Sequence, residues 1–412
     1  MSRAALDETP APAPARAPDP GEDEHAAHRG PPPYTFLLIA IAVVVVLNAY
    51  IGLRLVPGLP LAEAGRLSAI GLLCLSVVLI PAGVLARFIR RPWLARPLAW
   101  AGAVTMGWFS SLLVLTLLRD IALALGVLLL PRALRMQAAS WSAVAVVVLA
   151  VVATIAGFFS ARRRPRVTDV AIPLADLPAA LQGFAIAQIS DLHVSATLRR
   201  SYVERVVDTV NALAPDLIAV TGDLVDGSVG QLAAQVEPLG RLVSRHGTYF
   251  VTGNHEYYSG VDAWVAQLQR LGMHVLLNEH VVIEHGGAAL IVAGVTDTSA
   301  HQFDPARRSD PQAALRGAPV QVRPRVLLAH RPGSAPAAAA AGFDLQLSGH
   351  THGGQFWPWN LWVRVQESLA VGLDRLGQLW VYTSRGTGYW GPPQRLGVPS
   401  EITRLRLVRA PG

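Results

Sequence analysis

Seven side chains have types and spacings that would do chemistry together. They are Asp191 and His193 in Ser-Asp-Leu-His, Asp223 in Thr-Gly-Asp-Leu-Val-Asp, and Asn254 in Gly-Asn-His-Glu. His330 ends Val-Leu-Leu-Ala-His, and His350 and His352 stand in Gly-His-Thr-His-Gly-Gly-Gln. Carboxylates, imidazoles and an amide carbonyl suit hard to borderline divalent cations, and a donor set without thiolate disfavours a structural zinc site. Two such ions ~3.5–4 Å apart clamp the attacking and leaving oxygens of an in-line displacement, and a water bridging them loses its proton near neutral pH to become the nucleophile. The pair needs a carboxylate that reaches both ions, for which Asp223 is the natural candidate. Taken singly, each cluster has a plain structural explanation. Gly222-Asp223 reads as a turn, Asp191 as a helix cap and His330 as a satisfied core histidine. Five clusters with complementary ligand types, each following an apolar run of strand length, are hard to reach by chance.

Those runs are the elements that must position the ligands. Phe184 to Ile189, Leu217 to Thr221, Tyr249 to Thr252, Ala289 to Val295, Val326 to Leu328, Phe343 to Leu347 and Leu379 to Tyr382 read as strands. Tyr202 to Leu213 carries apolar residues at helical spacing. The alternation predicts an α/β or layered sheet domain, whose ligand sites gather at the carboxyl ends of its strands.

The motif series, in this order, resembles the calcineurin-like metallophosphoesterase superfamily over about Phe184 to Leu407. The Gly-His-Thr-His-Gly-Gly-Gln form, the later Ser-Arg-Gly-Thr-Gly and Pro399-Ser400-Glu401-Ile402 are similar to a membrane-associated branch that includes UDP-2,3-diacylglucosamine hydrolase-like phosphoesterases. The resemblance implies a four-layer α-β-β-α sandwich and two divalent ions, with manganese first and iron, zinc or magnesium as alternatives. It places Asp191, His193 and His352 on the first ion and Asn254, His330 and His350 on the second. Asp223 bridges them, and His255 sits near the leaving group as general acid or phosphate donor. Asp226 reads either as a partner supporting Asp223 or as a surface turn residue, and Glu256 either as such a support or as a solvated charge. His25, His28, His246, His274, His280, His285 and His301 receive no role.

The first part of the chain reads differently. Residues 1–33 are Ala/Pro-rich and read as a disordered tail. Four apolar stretches follow: Tyr34 to Leu55, Leu67 to Phe88, Leu98 to Leu118 and Trp141 to Ser160. Each has the ~20 residues needed to cross a bilayer. Arg119 and Asp120 interrupt the third, so Ile121 to Leu130 read as an interfacial or re-entrant piece, with a fifth span as the alternative. A transmembrane region at 34–160 is then followed by a basic linker at 161–183 and the phosphoesterase domain at 184–412. Arg87, Arg90, Arg91 and Arg96 follow the second span and Arg162, Arg163, Arg164 and Arg166 the fourth. The positive-inside rule therefore predicts a multi-pass protein of the cell's inner membrane with both termini and the catalytic domain in the cytoplasm.

The net charge of +7 does not argue for a nucleic-acid partner. The basic residues are all arginine, many of them cluster beside the apolar stretches, and no basic run with interleaved aromatics occurs in the second half. Cys74, within an apolar run, leaves no disulfide to form within the chain. The partners expected are the lipid bilayer and a phosphodiester, pyrophosphate or monoester substrate, lipid-linked in the reading we favour. Phe356, Trp357, Trp359 and Trp362 suit a loop dipping into lipid headgroups beside the site, against a packed aromatic cover over a sheet edge. A tethered phosphodiesterase with a soluble substrate is the nearest alternative. A regulatory domain on a transport or sensing module is another.

Overall fold

The computed structural model describes residues 34–89, 91–129 and 131–410, so the tail expected at 1–33 lies outside the described residues. Four helices come first: α1 (Tyr34–Leu55), α2 (Glu63–Leu85), α3 (Pro92–Leu129) and α4 (Arg132–Arg162). All four are long and apolar enough to cross a membrane. From Leu38 through Phe159 their exposed residues are largely apolar, among them Leu53, Leu67, Val78 and Leu128. Such surfaces are stable against lipid rather than water.

The re-entrant piece expected after Arg119 does not form. Helix α3 runs unbroken through Arg119 and Asp120 to Leu129. The reason is that both charges find partners on neighbouring helices. Asp120 accepts from Tyr50 (2.7 Å) and from Arg54 Nε (2.7 Å) of α1. Arg119 donates to Ser142 Oγ (3.0 Å) and to the carbonyls of Arg54 (3.1 Å) and Ala139 (2.9 Å). A charge paired and hydrogen-bonded inside a bundle removes the incentive to break the helix. The fifth span is likewise absent from the described residues.

After α4 come two six-stranded sheets. The first has the order β1 (Arg166–Leu174), β12 (Glu401–Arg409), β2 (Ala185–Ile189), β3 (Leu217–Val220), β4 (Thr248–Phe250), β5 (Met273–Val275). The second has the order β10 (Gly372–Leu376), β11 (Leu379–Thr383), β9 (Leu345–Ser348), β8 (Arg325–Leu328), β7 (Ala288–Gly294), β6 (Glu279–His285). The inner strands β2–β3–β4 and β7–β8–β9 run parallel within each sheet. Strand β1, within the stretch expected as a basic linker, pairs with β12 over its whole length.

Each sheet is apolar on both faces, because a parallel sheet is covered on both sides. Ile186, Leu217, Tyr249, Leu290, Val326 and Leu347 fill the space between the sheets. On the outside of the first sheet lie α5 (Arg200–Ala212), α6 (Val229–Val236) and α8 (Val261–Arg270), which bury Val203, Val207, Leu232 and Trp264. On the outside of the second lie α9 (Pro311–Ala314) and α10 (Ala335–Ala341), which bury Ala314, Ala335 and Ala338. The result is the four-layer α-β-β-α sandwich, preceded by four apolar helices. Two short helices, α7 (Asn254–Ser259) and α11 (Trp359–Gln366), leave this layering and border the site.

Candidate metal centre

Every candidate ligand sits just past the carboxyl end of a parallel strand. Asp191 and His193 follow β2, Asp223 follows β3, Asn254 follows β4, His330 follows β8, and His350 and His352 follow β9. Sheet order does the rest, because β2–β3–β4 and β8–β9 are hydrogen-bonded neighbours within their sheets. Asp191, His193, Asp223, His350 and His352 all have positive φ, between 50° and 72°. Left-handed backbone at a residue other than glycine costs of order 1–3 kcal/mol and persists where the surroundings enforce it, often at functional sites. Here it occurs at five of the seven ligand-type residues, each on the turn that follows its strand. The glycines between them have no room for a side chain: a Cβ on Gly349 would collide with Ser190 and Asp191, and one on Gly253 with Asp223.

The structure brings six of these seven residues into two groups. Asp191, His193 and His352 form one, and Asp223, His330 and His350 the other. The Asp223 carboxylate lies between them, with Oδ2 3.1 Å from His330 Nε2 and 3.8 Å from His193 Nε2. His352 Nε2 is 3.0 Å from His193 Nε2 and 3.6 Å from Asp191 Oδ1. His255 stands at the rim with Nε2 4.0 Å from Asp223 Oδ2.

Two observations test whether divalent ions fit. First, Asn254 Oδ1 is buried with no hydrogen-bond partner, and His330 Nε2 faces the carboxylate of another candidate ligand, Asp223. A buried acceptor without a partner is rare, and a cation would satisfy it. Second, the imidazoles are held from behind. His330 Nδ1 donates to the Thr221 carbonyl (2.8 Å) and His193 Nδ1 to Asp226 Oδ1 (2.9 Å), which turns each Nε2 into the site, where a metal would take the place of a proton. The donor set therefore fits divalent ions.

The electrostatics agree. Burial would raise Asp223, but His330, His255 and His193 around it hold the carboxyl well below its ordinary range. Burial lifts Asp191, and the Asp223 charge beside it adds to the rise. Burial would lower His330, yet the adjacent Asp223 carries it up to about 10. His350 is pushed down to about 3 by burial and by the neighbouring His330, so its ring is neutral and free to coordinate. The arrangement is a buried set of mutually dependent charges, of the kind a cation stabilises.

Three residues matter more than the sequence indicates. Asp226 is not a surface turn residue but a half-buried partner of two histidines. Its Oδ1 accepts from both His193 Nδ1 (2.9 Å) and His255 Nδ1 (2.6 Å). Glu256 is not a solvated charge. It is fully buried and accepts from the backbone N–H groups of Gly253 (2.7 Å), Leu224 (2.8 Å) and Asp223 (3.0 Å). Arg395, which attracts no notice in the sequence, is 1% exposed and reaches His352 Nδ1 (3.0 Å) and the carbonyls of Arg385 (2.6 Å) and Gly388 (3.0 Å). No spacing rule finds it, because it acts from a loop more than forty residues from its target.

That loop also joins the centre to the membrane helices. The Trp390 ring stands 5.9 Å from the His255 ring. Gln355, next to the last ligand motif, donates to the carbonyls of Trp390 (2.9 Å) and Pro392 (3.0 Å). Gln394 is buried against Gly107 of α3 and Gly157 of α4, where a Cβ on Gly107 would lie 2.5 Å from its Nε2. The Arg395 N–H donates to the Gly157 carbonyl (3.0 Å). The aromatic group divides in two. Phe356 is buried, whereas Trp359, Leu361, Trp362 and Val365 on α11 are exposed, and Trp359 Nε1 donates to Ser110 Oγ of α3 (2.9 Å).

Residues 184–354 match the calcineurin-like phosphoesterase family. Among curated proteins, the chain is similar to one from Bos taurus named transmembrane protein with metallophosphoesterase domain, 40% identical over 276 residues, covering 64% of this chain and 62% of that protein. It is similar to the Danio rerio protein of the same name, 37% identical over 274 residues, covering 65% of this chain and 62% of that protein. The match thus spans less than two thirds of the length of these two relatives. An uncharacterized metallophosphoesterase of Aquifex aeolicus is 31% identical over 224 residues, covering 54% of this chain and 84% of that protein. With the fold, the ligand geometry and these relatives together, the chain belongs to the calcineurin-like metallophosphoesterase family, its phosphoesterase domain preceded by four helices long and apolar enough to cross a membrane.

Proposed function

We propose that this protein hydrolyses a phosphoester presented at the surface of the membrane that anchors it, using two divalent ions. The observation that carries the reading is the segment Trp390–Arg395. It walls the metal centre at His255 and His352 and is seated on Gly107 and Gly157 of two apolar helices. In this reading Asp191, His193 and His352 hold one ion, Asn254, His330 and His350 the other, and Asp223 both. Manganese is the first choice for both sites, since carboxylate, imidazole and amide ligands suit it. When bound, the ions would polarise the phosphoryl oxygens and acidify an attacking water. The chain's own residues do the rest. Asp226 orients His193 and His255, and burial, which would depress His255, is outweighed by Asp226 and Asp223, which hold it up at about 9. A protonated His255 is placed to donate to a phosphoryl oxygen or a leaving group. Four spans return the chain to its starting side, and the arginines after α2 and α4 favour the cytoplasm for that side.

The test uses full-length protein in detergent, stripped of metal and then given manganese, with bis-p-nitrophenyl phosphate and p-nitrophenyl phosphate as substrates. Asp223→Asn should lower metal-dependent release by about a hundredfold or more, because an ion worth several kcal/mol to the transition state is dislodged. Equal release with and without metal, or undiminished release by the variant, would overturn the reading.

A further inference from the structure

A second feature lies on the seam between the helices and the sandwich. A cavity of ≈ 300 Å³ is lined by Trp100 of α3, Ala161 and Arg162 of α4, Thr197 to Arg199 before α5, Ser201, Tyr202 and Arg205 of α5, and Tyr389. Three arginines, Arg162, Arg199 and Arg205, are among its lining residues. Among the described residues, none of the three has a carboxylate within ion-pair distance, although other arginines nearby do. Arg200 pairs with Glu204 (3.0 Å) and with Glu237. Arg162 is stacked over the rings of Trp100 (5.1 Å) and Phe158 (5.4 Å), and Arg205 over Tyr202 (5.2 Å). Arg205 also donates to the Ser201 carbonyl (3.0 Å). Arg162 and Arg205 are therefore held by aromatic faces and backbone, and among the described residues no carboxylate pairs with any of the three.

Three like charges beside one small cavity repel one another unless an anion joins them. Planar guanidinium groups match the oxygens of a phosphate bidentately. The helix side of the cavity is aromatic: Trp100 lines it, Phe158 of α4 packs against Trp100 (6.0 Å), and the neighbouring Phe159 is exposed. A basic pocket beside spanning helices, with an aromatic floor, has the chemistry of a phospholipid headgroup site. We infer that this cavity binds the phosphate of an anionic phospholipid, whose acyl chains lie along α3 and α4. The site is separate from the metal centre and uses none of its ligands. Its consequence is a preference for anionic membranes that does not depend on turnover.

The experiment places full-length protein in phosphatidylcholine nanodiscs doped with phosphatidylglycerol and counts the lipids retained by native mass spectrometry after transfer to detergent. The wild type should retain phosphatidylglycerol over phosphatidylcholine. Arg162→Gln, Arg199→Gln and Arg205→Gln combined should weaken retention by on the order of a hundredfold, and each alone by about fivefold, at ~1 kcal/mol per arginine. The single variants keep the test readable should the triple variant fail to fold. Arg241→Gln with Arg245→Gln and Arg270→Gln, an equal charge loss elsewhere, should leave retention unchanged. Undiminished retention by the pocket variants would overturn the inference. So would displacement of the lipid by inorganic phosphate at equal concentration, which would make the cavity a soluble-anion site. Hydrolysis of bis-p-nitrophenyl phosphate by the pocket variants should match wild type, so failure here is distinguishable from failure at the metal centre.

Discussion

Asp226 shows how much of the site depends on a residue that would touch neither ion. One carboxylate oxygen receives the Nδ1–H of both His193 and His255, so it fixes the tautomer of a ligand and of the candidate acid together. Asn in its place keeps one acceptor but sets an N–H₂ close to imidazole N–H groups. Asp226→Asn should therefore lower kcat by about 10- to 100-fold and weaken metal affinity, the usual cost of losing a partner behind a ligand. Metal titration by calorimetry together with kcat checks it, and a kcat loss without any change in affinity would confine Asp226 to orienting His255. The ligands themselves were legible in the sequence because Asp, Asn and His in short motifs advertise their chemistry. Asp226 was half-legible, since the motif contains it but not the direction in which its side chain turns. A different residue-scale effect concerns pH. His246 lies 3.0 Å from His285 and stacks on Phe184, and burial together with the adjacent His285 depresses it below its ordinary 6.5. As pH falls through about 6.5 the unfolded chain takes up a proton that the folded ring resists, so stability drops on the acid side and is unaffected above it. His246→Gln should flatten the fall in thermal midpoint between about pH 7 and pH 5.5, and an equally steep fall in the variant would reject the assignment.

At the scale of elements, the strands that carry ligands were readable, as were β7 and β11, and the rest were harder. β2, β3, β4, β8 and β9 are short, nearly continuous apolar runs because both faces are covered. β12 alternates arginine with leucine and isoleucine, and β6 and β10 mix charge with apolar residues as sheet partners near an edge. In these strands the arginines and acids mask the period-2 pattern that burial enforces on the other face. Glu256 ties elements together in a way no pattern announces. From the first turn of α7 it receives three backbone N–H groups of the loops after β3 and β4, which carry Asp223 and Asn254. Burial and the nearby Asp223 charge raise it to about 7, opposed by the Gly253 and Leu224 N–H groups. Glu256→Gln leaves an amide N–H₂ facing at least one of those donors. It should cost about 1–3 kcal/mol, as an unsatisfied buried group does, and should loosen both ligand loops. Denaturant unfolding would measure the first effect and manganese affinity the second, and wild-type values for both would exclude this role.

The whole molecule has one property that neither half predicts: the catalytic domain and the helices share a seam. The sequence separates the apolar region from the sandwich clearly, because hydropathy and motifs are long signals. The seam is built from Gly107, Ser110, Gly157, Trp359 and Gln394, residues of common types whose meaning lies only in what they meet. A bulky side chain at Gly157 would press on Gln394, whose Cβ is already 3.2 Å from where a glycine Cβ would stand. Because Arg395 follows directly and contacts His352, Gly157→Leu should disturb the metal centre from within a membrane helix. It should lower hydrolysis of bis-p-nitrophenyl phosphate several-fold, and wild-type activity and metal content in that variant would show the loop to be independent of α4. The same seam carries α11, whose exposed Trp359, Leu361, Trp362 and Val365 fall within a single arc at 100° per residue. Tied to α3 through the Trp359–Ser110 hydrogen bond, that arc suits the headgroup layer. Trp359→Ala with Trp362→Ala should therefore raise the apparent KM for a phosphodiester embedded in vesicles by about tenfold, through lost interfacial anchoring. Soluble bis-p-nitrophenyl phosphate should be turned over as before. An equal loss on both substrates would mean that α11 supports the sandwich and has no part in reaching the bilayer.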